Sequence, residues 1–402
     1  MSNATEHVTG LPSYPGVHNA RCPFDPPTEY AQWREAPGLR QAVWKGRPVW
    51  VVSRYEDIKA ALADPRVSAE VGATQDLKGF GDNPPPMFPR MDDPEHARLR
   101  RMLTKDFTVK RINGMRPQIE AMANEFIDRM VAKGQPADLV QDYALPLPSL
   151  VISLLLGVPY ADHAFFQEHS RTMTTRDASD QAKGQATRAL FGYLQELVGR
   201  KEQAPEEDLI SRMLVEHVAT GEIDRTTAVV NSLLLLFAGH ETTANAIAYA
   251  TLVLLRDPVQ AALLRDAEDP AQNARAVEEL FRYMTIVNGL VARRVTEDLE
   301  IGGQQVAAGE LLLMNLPAGN RDTAFAEQPN VLDLDRNAVG HLAFGYGVHQ
   351  CLGQNLAKAE MQIALTVLLR RLPGLRLAVP FEAVGFRHDM GVYGVHELPV
   401  AW

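Results

Sequence analysis

The 402-residue chain carries 40 Lys and Arg against 50 Asp and Glu, a net charge of −10, with 46% hydrophobic residues and two cysteines, Cys22 and Cys351. That acidic balance excludes nucleic acid and anionic membrane as bulk electrostatic partners. So few cysteines exclude a disulfide-framed secreted domain and point to a reducing cytoplasm.

Residues 1–30 are proline-punctuated, read as an irregular entry segment, and lack the basic-then-apolar order of a signal peptide. VWKGRPVWVVSRYEDIKAAL, 43–62, alternates apolar and polar residues around a Gly turn and then turns helical, which predicts a hairpin followed by a helix. Residues 68–90, with three glycines and Pro84–Pro85–Pro86, predict a long loop of the kind that closes over a ligand. From Asp93 the pattern is mostly helical. Pro94 stands at one helix start, Gly134 ends the next helix, residues 137–159 read as a helix, and Gly221 ends another. The longest candidate, 224–256, spans roughly 48 Å at about 1.5 Å per residue and is apolar all round, as a helix buried through a domain centre would be. Apolar runs at 150–160 and 233–239 are too short to cross a bilayer, so a soluble cytoplasmic chain is expected. A helix at 276–284, a β-rich stretch at 291–316 and a strand-like C-terminal segment follow. With no repeat and no linker, the expectation is one domain over 1–402, mainly α with a minor β region.

Two stretches break local rules. HLAFGYGVHQCLGQNLAKAE, 341–360, sets Cys351 in a glycine-rich loop just before a helical pattern. Glycines let the backbone pass close to something flat and bulky. A helix N-terminus favours a thiolate, and one thiolate without companion ligands suits a single axial bond rather than a zinc or iron–sulfur site. In the long helix, Ala238-Gly239-His240-Glu241-Thr242-Thr243 interrupts Leu-rich packing with poor helix formers. The Thr242 hydroxyl can reach the Ala238 carbonyl and bend the helix, opening a groove. Glu279 and Arg282, three apart on one helix face, read alone as a surface ion pair. His96 and Arg100 share a helix face. The stretch 98–111 holds Arg98, Arg100, Arg101, Lys105, Lys110 and Arg111 against one acid, Asp106.

FGYGVHQCLG resembles the haem-binding loop of cytochrome P450 with every defining position filled. FTVKRINGMRP, ALPLPSLVISLLLGVPYADH, AGHETT and HELPVAW resemble the soluble Streptomyces-type P450s that act on macrolides, vitamin D and xenobiotics. One departure is Asn330, where an acid is often found. The resemblance implies a P450 fold and haem b with Cys351 as its axial thiolate. Phe344, Gly345, Gly353 and Ala238 would lie against the macrocycle, with His96, Arg100, Arg293 and His349 on its propionates. Glu241 and Thr242 correspond to the catalytic acid–alcohol pair that relays protons. Glu279 and Arg282 would be buried, and joined by Arg336, as a structural brace. Leu234, Phe237, Ala238, Val287, Val291, Val392 and Tyr393 would contact substrate beneath a mobile loop at 68–90. The implied activity is a monooxygenase of secondary metabolism acting on a mainly apolar molecule, a monomer fed by a ferredoxin and an NAD(P)H-dependent ferredoxin reductase. A peroxide-driven peroxygenase and a non-enzymatic haem sensor are the alternatives, and the intact acid–alcohol pair argues against both.

Overall fold

The structure, a computed structural model, describes residues 10–18, 22–71, 87–174, 178–388 and 390–402. Most of the loop expected at 68–90, and parts of the entry segment, lie outside the described residues. The chain forms two compact units. One comprises Met1–Val71, Tyr249–Cys351 and Glu382–His396, and the other Gly72–Ala248, Leu352–Phe381 and Glu397–Trp402.

The first unit is built on a five-stranded sheet in the order Arg40–Trp44, Arg47–Val52, Leu311–Met314, Ala292–Val295, Val67–Ser68. Its first two strands form the hairpin that the alternation predicts. Lys45 and Gly46, at φ 50° and 75°, give the two left-handed residues that a tight hairpin turn requires. Leu311–Met314 is buried on both sides, which is why LLLM shows no alternation. Below it Val52, Leu312, Met314 and Val295 pack with Ile58 and Leu62 of the helix Tyr55–Ala63. Above it Val49, Val51, Leu311 and Leu313 pack with Tyr14 and Tyr30. The helix Pro270–Met284 begins on an Asp269 side-chain cap with Pro270 in its first turn. The entry segment turns regular at the helix Thr28–Glu35. Ahead of that helix, the Pro23 carbonyl accepts the hydroxyls of Tyr249 and Tyr393, each at 3.0 Å.

The second unit is helical. Val109–Lys133 packs along Gln354–Arg371, with Arg371 donating to Asp128 at 2.6 Å. Caps fall where the sequence offers them: Thr108, Ser179 and Asp208 each accept a backbone N–H three residues on. The helix expected at 137–159 is in fact three elements. Ala137–Asp138 pairs with Pro399–Ala401, Val140–Ala144 is a wide π-turn, and Pro146–Leu156 is the helix. Pro146 and Pro148 lack the N–H groups that a helix interior needs and so sit in a first turn, which forces the break. The strand-like C-terminus likewise shrinks to Arg376–Leu377 and Pro399–Ala401, with isolated bridges from Val287 to Val392 and from Phe386 to Val395 among the described residues between them. Among the described residues no single helix is long and apolar enough to cross a membrane.

Glu360 is 1% exposed on Gln354–Arg371, and burial pushes its carboxyl well above the usual 4.5. A raised carboxyl adds stability below its unfolded value and loses it as pH rises toward the folded one. Glu360→Gln should therefore raise the melting temperature near pH 8, by the equivalent of about 1–3 kcal/mol, and change it little below pH 4.5. Thermal unfolding at both pH values checks this, and an equal gain at both would exclude ionisation as the cause.

Candidate active site

In the first unit the cysteine loop is held by its own backbone. Gly345 donates to the Leu342 carbonyl and Cys351 to the Phe344 carbonyl, both at 2.8 Å, around a single 3₁₀ turn at Gly347–His349. Gly345 and Gly347 have φ 72° and 73°, and a Cβ on Gly347 would sit 2.8 Å from the Leu62 carbonyl oxygen, so only glycine fits there. A Cβ on Gly345 would meet nothing within 4 Å, which leaves its flank open to a flat group. Cys351 is exposed. Its own N–H is committed to the Phe344 carbonyl. Phe344 rests on Phe281, ring centroids 4.7 Å apart, and His349 is half-buried. Among the described residues no group of three or more His, Cys, Asp or Glu is placed to chelate a bare ion.

The pair that reads alone as a surface bridge is wholly buried. Arg282 meets the Glu279 carboxylate at 2.6 and 2.8 Å, both residues are 0% exposed, and Arg336 reaches the same carboxylate at 3.2 Å. The remaining Arg282 donors go to the carbonyls of Asn320, Pro329 and Val331. Strand alternation separates Arg293, which is buried, from Arg294, which is exposed, and so selects Arg293 as the inward cation. Val287 bridges Val392 across two strand-like segments, and Val287 and Val291 are both half-buried against the lower core. Leu290, which the sequence reading missed, is 51% exposed beside Gly391. Tyr393 differs from the expectation. Its ring lies flat on His18 at 3.7 Å and edge-on to Tyr249, and its hydroxyl is spent on Pro23, so its side chain belongs to the N-terminal segment rather than to a ligand surface.

In the second unit the helix Glu95–Thr104 carries His96 and Arg100 on one face, His96 at 1% exposure and Arg100 half-buried. His96 Nδ1 lies 2.9 Å from Asp93.

The long helix, Arg225–Arg256, has its residues up to Ala248 in this unit. Between Thr227 and Ala248 only Leu234, Phe237, Ala238, Gly239 and Thr242 are not buried. Leu234, Ala238 and Thr242, four apart, and Phe237 beside them form one open stripe along these turns, while Gly239 turns toward Ile152. The Thr242 hydroxyl donates to the Ala238 carbonyl at 2.7 Å, while the helix stays unbroken through this turn. Glu241 is 5% exposed beside the stripe, and its carboxylate accepts from Asn245 at 3.2 Å. Asn245 was missed although its spacing, one turn after an acid, was there to be read. Gly239 is fixed by packing, since a Cβ there would stand 3.1 Å from Ile152. Gly353, facing open space, precedes the helix Gln354–Arg371.

The donor set fits a haem. In the first unit it comprises an exposed thiol on a strapped loop with an open flank and the inward cation Arg293; the second unit by itself carries His96 and Arg100 on one helix face and a buried acid next to an alcohol. The residues 39–373 match the family model described as Cytochrome P450. Cytochrome P450-SU2 of Streptomyces griseolus is 50% identical over 393 residues, covering 95% of this chain and 94% of that relative. A vitamin D3 dihydroxylase of the same species is 42% identical over 99% of this chain and 98% of its own length. Among solved structures, GfsF matches with a TM-score of 0.91 at 44% identity, covering 97% of this chain and all of that one. The mycinamicin VIII C21 methyl hydroxylase MycCI of Micromonospora griseorubida, solved with mycinamicin VIII, matches at 0.89 and 39% identity, covering 98% of this chain and 100% of that chain. The chain belongs to the cytochrome P450 family, the haem-thiolate monooxygenases.

Proposed function

We propose that Cys351 is the axial thiolate of the haem and that this P450 hydroxylates a large, mainly apolar organic molecule in the cytoplasm, with electrons delivered by a ferredoxin. The observation that carries the ligand assignment is the exposed Cys351 sulfur on a loop whose glycines tolerate close approach. His96, Arg100, Arg293 and His349 would hold the propionates by charge-assisted hydrogen bonds. Ala238, Phe344, Gly345 and Gly353 would lie against the macrocycle. When bound, the haem supplies dioxygen activation and oxygen insertion, and the thiolate donates electron density that favours O–O cleavage. Thr242 and Glu241 hold and pass the protons this requires. Leu234, Phe237, Val287, Leu290, Val291 and Val392 offer aliphatic and aromatic surface, which favours an apolar ligand. Relatives named for vitamin D3 and for mycinamicin VIII are in keeping with that reading. Reduced, CO-treated protein should show the absorption band of thiolate ligation, and Cys351→Ala should lose it. Retention of the band in that variant sinks the assignment. Turnover with ferredoxin and reductase, but not with peroxide alone, separates a monooxygenase from a peroxygenase.

The basic stretch 98–111 supports an acidic ferredoxin. Lys105 is paired with Glu216 at 2.6 Å and Arg98 is bound to the Glu222 carbonyl. Arg101, Lys110 and Arg111 are exposed. Reversing Arg101 and Arg111 to Glu should slow reduction by roughly tenfold or more at low salt. The difference should shrink as salt shortens the screening length. Stopped-flow reduction across a salt series measures both effects, and a rate indifferent to salt and to charge reversal places the docking surface elsewhere.

A further inference from the structure

Asn320 is 0% exposed, and all four of its polar groups are used. Its N–H donates to Leu316 at 3.0 Å, and its carbonyl accepts from Arg282 at 2.9 Å. Its side-chain amide donates to the Thr285 hydroxyl at 2.8 Å, and its side-chain oxygen accepts the Leu342 N–H at 2.6 Å. Leu342 begins the cysteine loop: its carbonyl takes Gly345, and Phe344 takes Cys351. An unbroken path therefore runs from the buried Glu279–Arg282 pair through Asn320 to the Cys351 backbone. A second tie starts from the residue beside Glu279. Glu278 lies 3.0 Å from His341 Nε2, and His341 Nδ1 accepts the Ala343 N–H at 3.1 Å.

We propose that Asn320 is a positioning residue for the haem thiolate, its side-chain oxygen holding the cysteine loop in the one conformation that presents Cys351 as an anion. The loop needs such a hold. It contains two left-handed glycines, and without an external anchor it would sample many states. Leu342 is itself 0% exposed, so no water can replace the Asn320 oxygen, and the unpaired N–H would carry its full desolvation cost. A loosened loop lets Cys351 sulfur take a proton from solvent, converting thiolate ligation to thiol ligation. This rests on Cys351 being the haem ligand.

The test uses purified holoenzyme and follows decay of the thiolate band in the reduced, CO-bound state under mild urea. Asn320→Leu removes the acceptor at similar volume. It should decay about tenfold faster or more, the factor that about 1.4 kcal/mol of lost stabilisation gives. Asn320→Asp keeps an oxygen for Leu342 but loses the donor to Thr285, and should decay more slowly than Asn320→Leu. Asn315→Leu is the control for a merely structural role. Asn315 is equally buried and caps Leu316–Gly319, with its amide on Ser53, and none of its hydrogen bonds reaches the loop. It should lower the melting temperature without hastening the decay. An Asn320→Leu protein that decays like the parent, or an Asn315→Leu protein that decays as fast, overturns the inference. A parent protein lacking the thiolate band instead removes the Cys351 reading. If Asn320→Leu does not accumulate folded, amide exchange in the parent decides. Leu342, Gly345 and Cys351 should exchange through one shared opening, and a Leu342 amide that exchanges faster than Cys351 is the contrary result.

Discussion

Thr242→Ala should keep consuming reduced cofactor within a few-fold of the parent while hydroxylated product collapses and hydrogen peroxide accounts for the missing electrons. The hydroxyl sits on the one open stripe of the long helix and donates to Ala238 at 2.7 Å. From there it can turn to hold a proton beside bound dioxygen. General acid–base groups are typically worth roughly 10²–10⁴-fold. Here loss of the alcohol redirects protons rather than withholding them, so the effect appears as partitioning. Glu241→Gln should differ. Its carboxylate is buried and steadied by Asn245, and removing its charge slows proton supply itself, so cofactor consumption and product fall together. Asn245→Ala should follow the Glu241 pattern more weakly, because it removes one of the carboxylate's partners without removing the carboxylate. Haem content should be normal in all three. A Thr242→Ala enzyme as tightly coupled as the parent would falsify this division of labour.

Arg282→Ala should yield little folded haem protein. The guanidinium satisfies Glu279 twice and three backbone carbonyls, and both residues of the pair are 0% exposed. Removing one partner of a buried ion pair typically costs about 3–5 kcal/mol, a large part of a domain's stability. Arg336, at 3.2 Å from Glu279, offers only partial compensation. Arg282→Lys should fare little better, since a point charge cannot reproduce a planar fork that serves five acceptors. Glu279→Leu combined with Arg282→Leu should recover part of the melting temperature, because the wholly buried pair is removed together and Arg336, left without its acid, keeps its carbonyl partners. Haem per protein and thermal unfolding measure the set. A well-folded Arg282→Ala protein with full haem content would contradict the brace.

Local patterns made much of this legible. The hairpin announced itself by alternation and Gly46, the long helix by its apolar length, and Gly134 by ending the helix Val109–Lys133 as its C-cap. The cysteine loop stood out because its glycines defy ordinary propensity. Asn320 was hidden because its partner Leu342 is 22 residues away and nothing local marks either. The break at 137–144 was hidden because a two-residue strand pairing with Pro399–Ala401 leaves no periodicity to detect. Tyr393 shows a related limit: sequence placed it at a turn, but which side the ring takes depends on His18 and Pro23, far away in the chain.

The meeting of His18 and Pro23 with Tyr249 and Tyr393 bears on recombination between relatives. The two hydroxyls share one carbonyl, and the ring stack leaves no slack between the parts. His18 is buried enough that its imidazole is pushed down to about 4, so it packs as a neutral ring. His18 and Pro23 therefore form one heritable set with Tyr249 and Tyr393. A crossover that takes His18 and Pro23 from one parent and Tyr393 from another exchanges half of a fitted surface, whereas a swap that carries all three, with Tyr249, preserves it.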